Sequence, residues 1–135
     1  MNDERFKKYE GKGLTGLDNI GNTCFINSTL QCLSHTYELN EFMDEIDVCG
    51  MDSYDIKKAE ILILRGWDEL RRQMWSENCV IEPHGFLRAV HNVARVKDKM
   101  IFTGYMQNDL PEFLLFLIDC FHTSIEKEVT MKIKG

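Results

Sequence analysis

Cys24 is the residue whose setting suggests chemistry. It ends the polar turn Gly16-Leu17-Asp18-Asn19-Ile20-Gly21-Asn22-Thr23 and starts an apolar-periodic segment. Ile26, Leu30 and Leu33 recur at i, i+4 and i+7, one face of a helix over about residues 23–33. A glycine-bearing turn that runs into a nucleophile at a helix start has the layout of a nucleophile elbow. The unpaired N–H groups of a helix start favour an anion, and thiols so placed react as thiolates. Asn19, five residues upstream, carries a side-chain amide of the kind that donates to an oxyanion. The bland alternative is that Cys24 is a small buried hydrophobe, the commonest fate of a cysteine without context.

Context reverses that weighting. Nearly every position of Gly-Leu-x-Asn-x-Gly-Asn-Thr-Cys-Phe-x-Asn-Ser-x-Leu-Gln-Cys-Leu is present from Gly16 to Leu33. The stretch resembles the cysteine box of the ubiquitin-specific proteases, papain-like thiol hydrolases that remove ubiquitin. A second block, Gly104-Tyr105-Met106-Gln107-Asn108-Asp109-Leu110-Pro111-Glu112-Phe113-Leu114, is similar to that family's Gly-Tyr-x-Gln-x-Asp-Ala-x-Glu-Phe-Leu. Its mild departures are Asn108 for the usual Gln and Leu110-Pro111 for Ala-x. The resemblance implies Cys24 as nucleophile, Asn19 as an oxyanion-hole donor, and Gln107 and Asp109 as contacts to the ubiquitin tail. Asn22 and Thr23 are read as turn formers and Glu112 as a capping or packing residue. Asp109 has a plainer reading as a helix N-cap, and both roles are compatible. Tyr105 is read as core or loop packing.

A thiolate of this type needs a base and an orienting group. The four histidines are His35, His84, His91 and His122, and none lies in a Gly-His-Tyr segment like the family's histidine box. Each reads as an exposed or interface histidine, so no general base is assigned within the chain. The five cysteines form no Cys-x-x-Cys pair. That argues against a disulfide framework and a zinc site, and no cofactor is implied.

The elements that would position these groups are mostly helices. A second helix is expected over 34–48 on Leu39, Phe42, Met43 and Ile46, capped by Thr36 or Asn40. A long one over 55–76 rests on Ile63, Trp67, Leu70 and Met74, with Gly66 inside it at a cost of about 1 kcal/mol. Residues 77–82 are briefly extended, and Pro83 opens a helix bearing Phe86, Val90 and Val93. A loop over 97–108 follows. Asp109, Pro111 and Glu112 approach a capping box ahead of the stripe Phe113, Leu114, Leu117, Cys120 and Phe121. Val129, Met131 and Ile133 alternate as in a strand.

The expected fold class is therefore mainly α, a thumb-like helical subdomain with a short β start at its C-terminus. The expected organisation is a flexible arm over 1–13, a helical thumb over 14–127 and a strand start over 128–135. The resemblance covers residues 14 to about 127, the N-terminal half of the family domain. It implies ubiquitin or its conjugates as partners, together with the missing palm and fingers. A net charge of −6 speaks against nucleic acid. The sequence holds no apolar run near the roughly 20 residues that span a bilayer, and the charged N-terminus is not a secretory signal. Cytosol or nucleus is the expected compartment. Two functions remain open: the cysteine-bearing half of a deubiquitinase, inactive alone, or a catalytically incompetent module that binds ubiquitin or another partner.

Overall fold

A computed structural model describes residues 4–21, 23–46, 59–99, 102 and 109–126. Among the described residues there are five α-helices: α1 (Cys24–Ser34), α2 (Tyr37–Glu45), α3 (Ile61–Ser76), α4 (His84–Val96) and α5 (Leu110–Ile125). Two strands of two residues, β1 (Gly16–Leu17) and β2 (Val80–Ile81), pair in parallel, Gly16 opposite Val80 and Leu17 opposite Ile81. The fold is mainly α. The residues expected to start a strand at the C-terminus, 128–135, lie outside the described residues, as do the loop 49–54, the expected helix start at 55–58 and Gln107. β1 falls within the stretch expected to be only a turn.

α3 packs against both α4 and α5, α5 packs against α1, and α2 leans on α1. The apolar stripes meet in one core around Trp67, Ile63, Leu30, Val90, Val93, Phe113 and Leu117, each at most 1% exposed. Gly66 lies where α3 approaches α4. A Cβ there would stand 3.6 Å from Phe86 and 3.7 Å from Ala89, an ordinary contact distance. The close approach thus gives Gly66 a packing setting, without requiring glycine.

Residues read as a loose arm instead fold over Glu4–Tyr9 as a 3-10 helix. Tyr9 is buried, stacked on Tyr37 at 4.5 Å and edge-on to Trp75 at 4.8 Å. Tyr9 Oη donates to Glu41 at 3.0 Å, and Lys8 pairs with Glu41 at 2.7 Å. This aromatic contact and ion pair tie the N-terminus to α2 and α3.

Neither candidate caps α2 through its side chain. The Thr36 hydroxyl donates to Cys32 O at 2.9 Å instead, and Asn40, buried inside the helix, donates to Ser34 O at 2.8 Å. The same holds at α5. Asp109 occupies the N-cap position in extended backbone, but its carboxylate makes no capping bond, so the capping box does not form.

These contacts set a pH range. Burial raises the Asp44 carboxyl, but Arg71 and Lys8 outweigh it and hold Asp44 below its ordinary range. Burial also opposes ionisation of Glu60, and its backbone hydrogen bond and Lys97 prevail in lowering it. Burial lowers His91, with Arg95 adding to the effect. Burial then pushes Tyr9 up to about 12. A group lowered by folding lends stability above its unfolded value and loses it as pH falls; a tyrosine raised by folding loses its contribution as pH rises. Stability should therefore plateau near neutrality. It should slip first below the ordinary His value of 6.5 and fall steeply below the ordinary Glu value of 4.5. It should fall again above 9.0, the ordinary value of the Cys120 thiol that burial also raises, and further above 10.0 as the Tyr9 contribution is lost. Urea midpoints measured across that range check the profile.

Candidate active site

Cys24 is the first residue of α1, and its thiol is exposed. The fold makes that placement local. Gly21 adopts φ +93°, a left-handed conformation that an L side chain rarely takes. The chain thereby turns from β1 back into α1 within a few residues. Thr23 stands at the N-cap position and is 5% exposed. It is more than a turn former. Its backbone N–H donates to Asn19 Oδ1 at 3.3 Å and its hydroxyl donates to the same oxygen at 3.0 Å. The hydroxyl oxygen in turn accepts from Ile20 N–H at 3.2 Å. Asn19 is exposed, and its carbonyl oxygen is committed to Thr23. Nδ2 is the end of that amide able to donate elsewhere.

A seam that the sequence reading missed holds this turn. The Asn27 amide donates to Leu17 O at 3.3 Å and Asp18 O at 3.1 Å, and Gln31 Nε2 donates to Thr15 O at 2.9 Å. His35 Nε2 lies 3.1 Å from Gly13 O. Thr23, Asn27, Gln31 and His35 are four apart along α1 and its two caps, whereas their partners Asn19, Leu17, Thr15 and Gly13 are two apart on a segment running the other way. Four helical residues rise about 6 Å and two extended ones about 6.6 Å, so the two repeats keep register. The signal was available: a polar residue at every fourth position, beside the apolar stripe.

The described part of the second motif, from Asp109 onward, packs against α1. Phe25, next to Cys24, meets Phe113 in the first turns of α5 edge-on at 5.4 Å. That contact sets the start of α5, with exposed Asp109, beside the start of α1. Phe102 closes over Phe113 and Phe116 at 5.7 and 5.0 Å. Gln107 lies outside the described residues.

The histidines are placed otherwise. His35 is eleven residues beyond Cys24, about 16 Å along the axis of α1, and its Nδ1 lies 2.9 Å from Gln31 O. His122 is about 13 Å beyond Phe113 along α5, 3.8 Å from Glu126. His84 pairs with Glu82 at 3.1 Å. His91 is half-buried on α4. Cys32 and Cys79 are exposed like Cys24, and Cys120 is the contrast. Cys120 is wholly buried, and burial pushes it up to about 12, despite the opposing charge of Lys97. It is a core residue. Among the described residues, no group of three or more His, Cys, Asp or Glu side chains could hold a metal ion.

An exposed thiol thus stands at a helix start, directly after Thr23, which holds the Asn19 amide oxygen. Residues 15–134 match the family model for ubiquitin carboxyl-terminal hydrolases. The chain belongs to the ubiquitin-specific protease family. Among its relatives is the human ubiquitin carboxyl-terminal hydrolase 2, 36% identical over 126 residues, 92% of this chain and 20% of the relative. Usp2 of Drosophila melanogaster is 37% identical over 121 residues, 89% of this chain and 12% of that protein. Ubiquitin carboxyl-terminal hydrolase 10 of Arabidopsis thaliana is 36% identical over 132 residues, 89% of this chain and 13% of the relative. The chain thus spans a fifth or less of each of these family members.

Proposed function

We propose that this chain supplies the nucleophile-bearing wall of a thiol-dependent deubiquitinase, which hydrolyses the isopeptide or peptide bond after ubiquitin's C-terminal glycine. The observation that carries this reading is the exposed Cys24 at the start of α1, five residues after an amide whose oxygen is pinned by Thr23. The Cys24 thiolate attacks the glycine carbonyl carbon, forming a C–S bond while the oxygen takes the displaced electron pair. Asn19 Nδ2 and backbone N–H groups at the helix start stabilise that oxyanion. The C–N bond then breaks, the amine leaves with a proton, and water clears the thioester. Gln107 and Asp109 hold the ubiquitin tail.

The base that moves the protons is not assigned to any of the four histidines, and the isolated chain should turn over little or no substrate. The palm half of the family domain is the expected source of that base. Ubiquitin carrying a thiol-reactive C-terminus tests the reading. Labelling at Cys24 without turnover of a ubiquitin C-terminal amide is the expected pattern. No labelling at any concentration leaves the catalytically incompetent binding module as the better description.

A further inference from the structure

The geometry around Asn19 assigns a task to Thr23: we propose that Thr23 is a positioning residue that fixes which end of the Asn19 amide faces the developing oxyanion. The inference rests on the reading of Asn19 as the oxyanion donor. A primary amide is nearly symmetric in shape, and only its NH2 end can stabilise an anion. An exposed asparagine free to rotate about its last torsion presents its oxygen as readily, and an oxygen there repels the charge it should stabilise. Thr23 removes that ambiguity. Two donors, its N–H at 3.3 Å and its hydroxyl at 3.0 Å, converge on Oδ1. Flipping the amide would set the NH2 group against both donors.

The hydroxyl's own direction is fixed as well. Its oxygen accepts from Ile20 N–H at 3.2 Å, which leaves its single proton for Asn19. Thr23 is 5% exposed, so water competes poorly for these bonds. The seam from Gly13–His35 to Leu17–Asn27 holds the extended segment in register along α1. That seam holds the backbone of Asn19 near the helix start, and Thr23 sets the rotation of its amide. The backbone turn places the amide, and the hydroxyl orients it. Serine can do the same; valine, of the same shape, keeps only the N–H donor.

Two measurements on the 135-residue chain test this. The first is NMR of the Asn19 side-chain NH2 and the Thr23 hydroxyl proton. In the wild type the hydroxyl proton should exchange slowly and the amide should give one sharp pair of signals. Thr23→Val should shift or broaden that pair, and Thr23→Ser should restore it. The second compares the affinity for ubiquitin whose C-terminal glycine is an aldehyde with that for unmodified ubiquitin. The aldehyde adds the Cys24 thiol to form a hemithioacetal, whose oxygen sits where the oxyanion develops.

Thr23→Val should lower the aldehyde preference about tenfold, the loss of one hydrogen bond, and leave binding of unmodified ubiquitin unchanged. In an Asn19→Ala background it should have no further effect. A wild-type hydroxyl proton exchanging at the solvent rate overturns the proposal without any variant, even if Thr23→Val fails to fold. So does an aldehyde preference that Thr23→Val leaves intact. A wild-type chain with no aldehyde preference overturns instead the reading of Asn19 on which the proposal rests.

Discussion

Arg71→Ala should destabilise the fold by about 3–5 kcal/mol, the usual cost of stranding a buried charge. Arg71 and Asp68 have side chains only 5% exposed. Arg71 Nε and a terminal guanidinium nitrogen both donate to Asp68 Oδ1, at 2.9 and 2.6 Å, and the same nitrogen reaches Asp44 at 2.9 Å. Removing the guanidinium leaves the Asp68 carboxylate buried, with only the half-exposed Arg72 at 3.1 Å for company. Thermal unfolding should shift down on the order of 10 °C. The paired change Asp68→Leu with Arg71→Met should be far milder, because the charges then left without these partners, Asp44 and Arg72, are exposed and not buried. Lys7→Ala, which breaks an ion pair exposed 65% and 83%, should cost under about 1 kcal/mol. An Arg71→Ala chain as stable as Lys7→Ala would mean that the Asp68 site is wetter than its burial indicates.

Asn19→Ala should act on chemistry instead of folding. Its side chain is exposed, and the bonds it loses are two to Thr23, so a stability loss of about 1 kcal/mol is expected. As a transition-state donor it is worth more. Loss of one oxyanion-hole donor typically costs on the order of 10²-fold or more. Affinity for ubiquitin aldehyde should fall on that scale, with binding of unmodified ubiquitin little changed. Equal loss of both affinities would recast Asn19 as a residue that shapes the turn and nothing else.

The helices that carry the site were legible because burial writes a period into the sequence. Ile26 and Leu30, Trp67 and Leu70, Val90 and Val93, and Phe113 and Leu117 all fall on the faces that their spacing indicates. What was not legible depends on partners far along the chain. Tyr9 looks like one aromatic in a charged tail until Tyr37 and Trp75 close on it. Strands of two residues are too short to show a period, and β1 takes its pairing from β2, more than sixty residues away. The caps failed for a different reason. The spacing of Asp109 and Glu112 permits a capping box, but the side-chain rotamer decides whether the bond forms. For the proposed site, the motif is what points to Cys24 and Asn19. The adjacency of the two motifs came only with the contact between Phe25 and Phe113.

The central claim is that Cys24 is a nucleophile presented to the tail of ubiquitin. Its most direct test is to incubate the chain with ubiquitin bearing a thiol-reactive C-terminal group and map the adduct by mass spectrometry. Cys24 should carry the adduct in preference to the exposed thiols Cys32 and Cys79, and Cys24→Ala should abolish it. An adduct spread over Cys32 and Cys79, or one that survives Cys24→Ala, would contradict the claim.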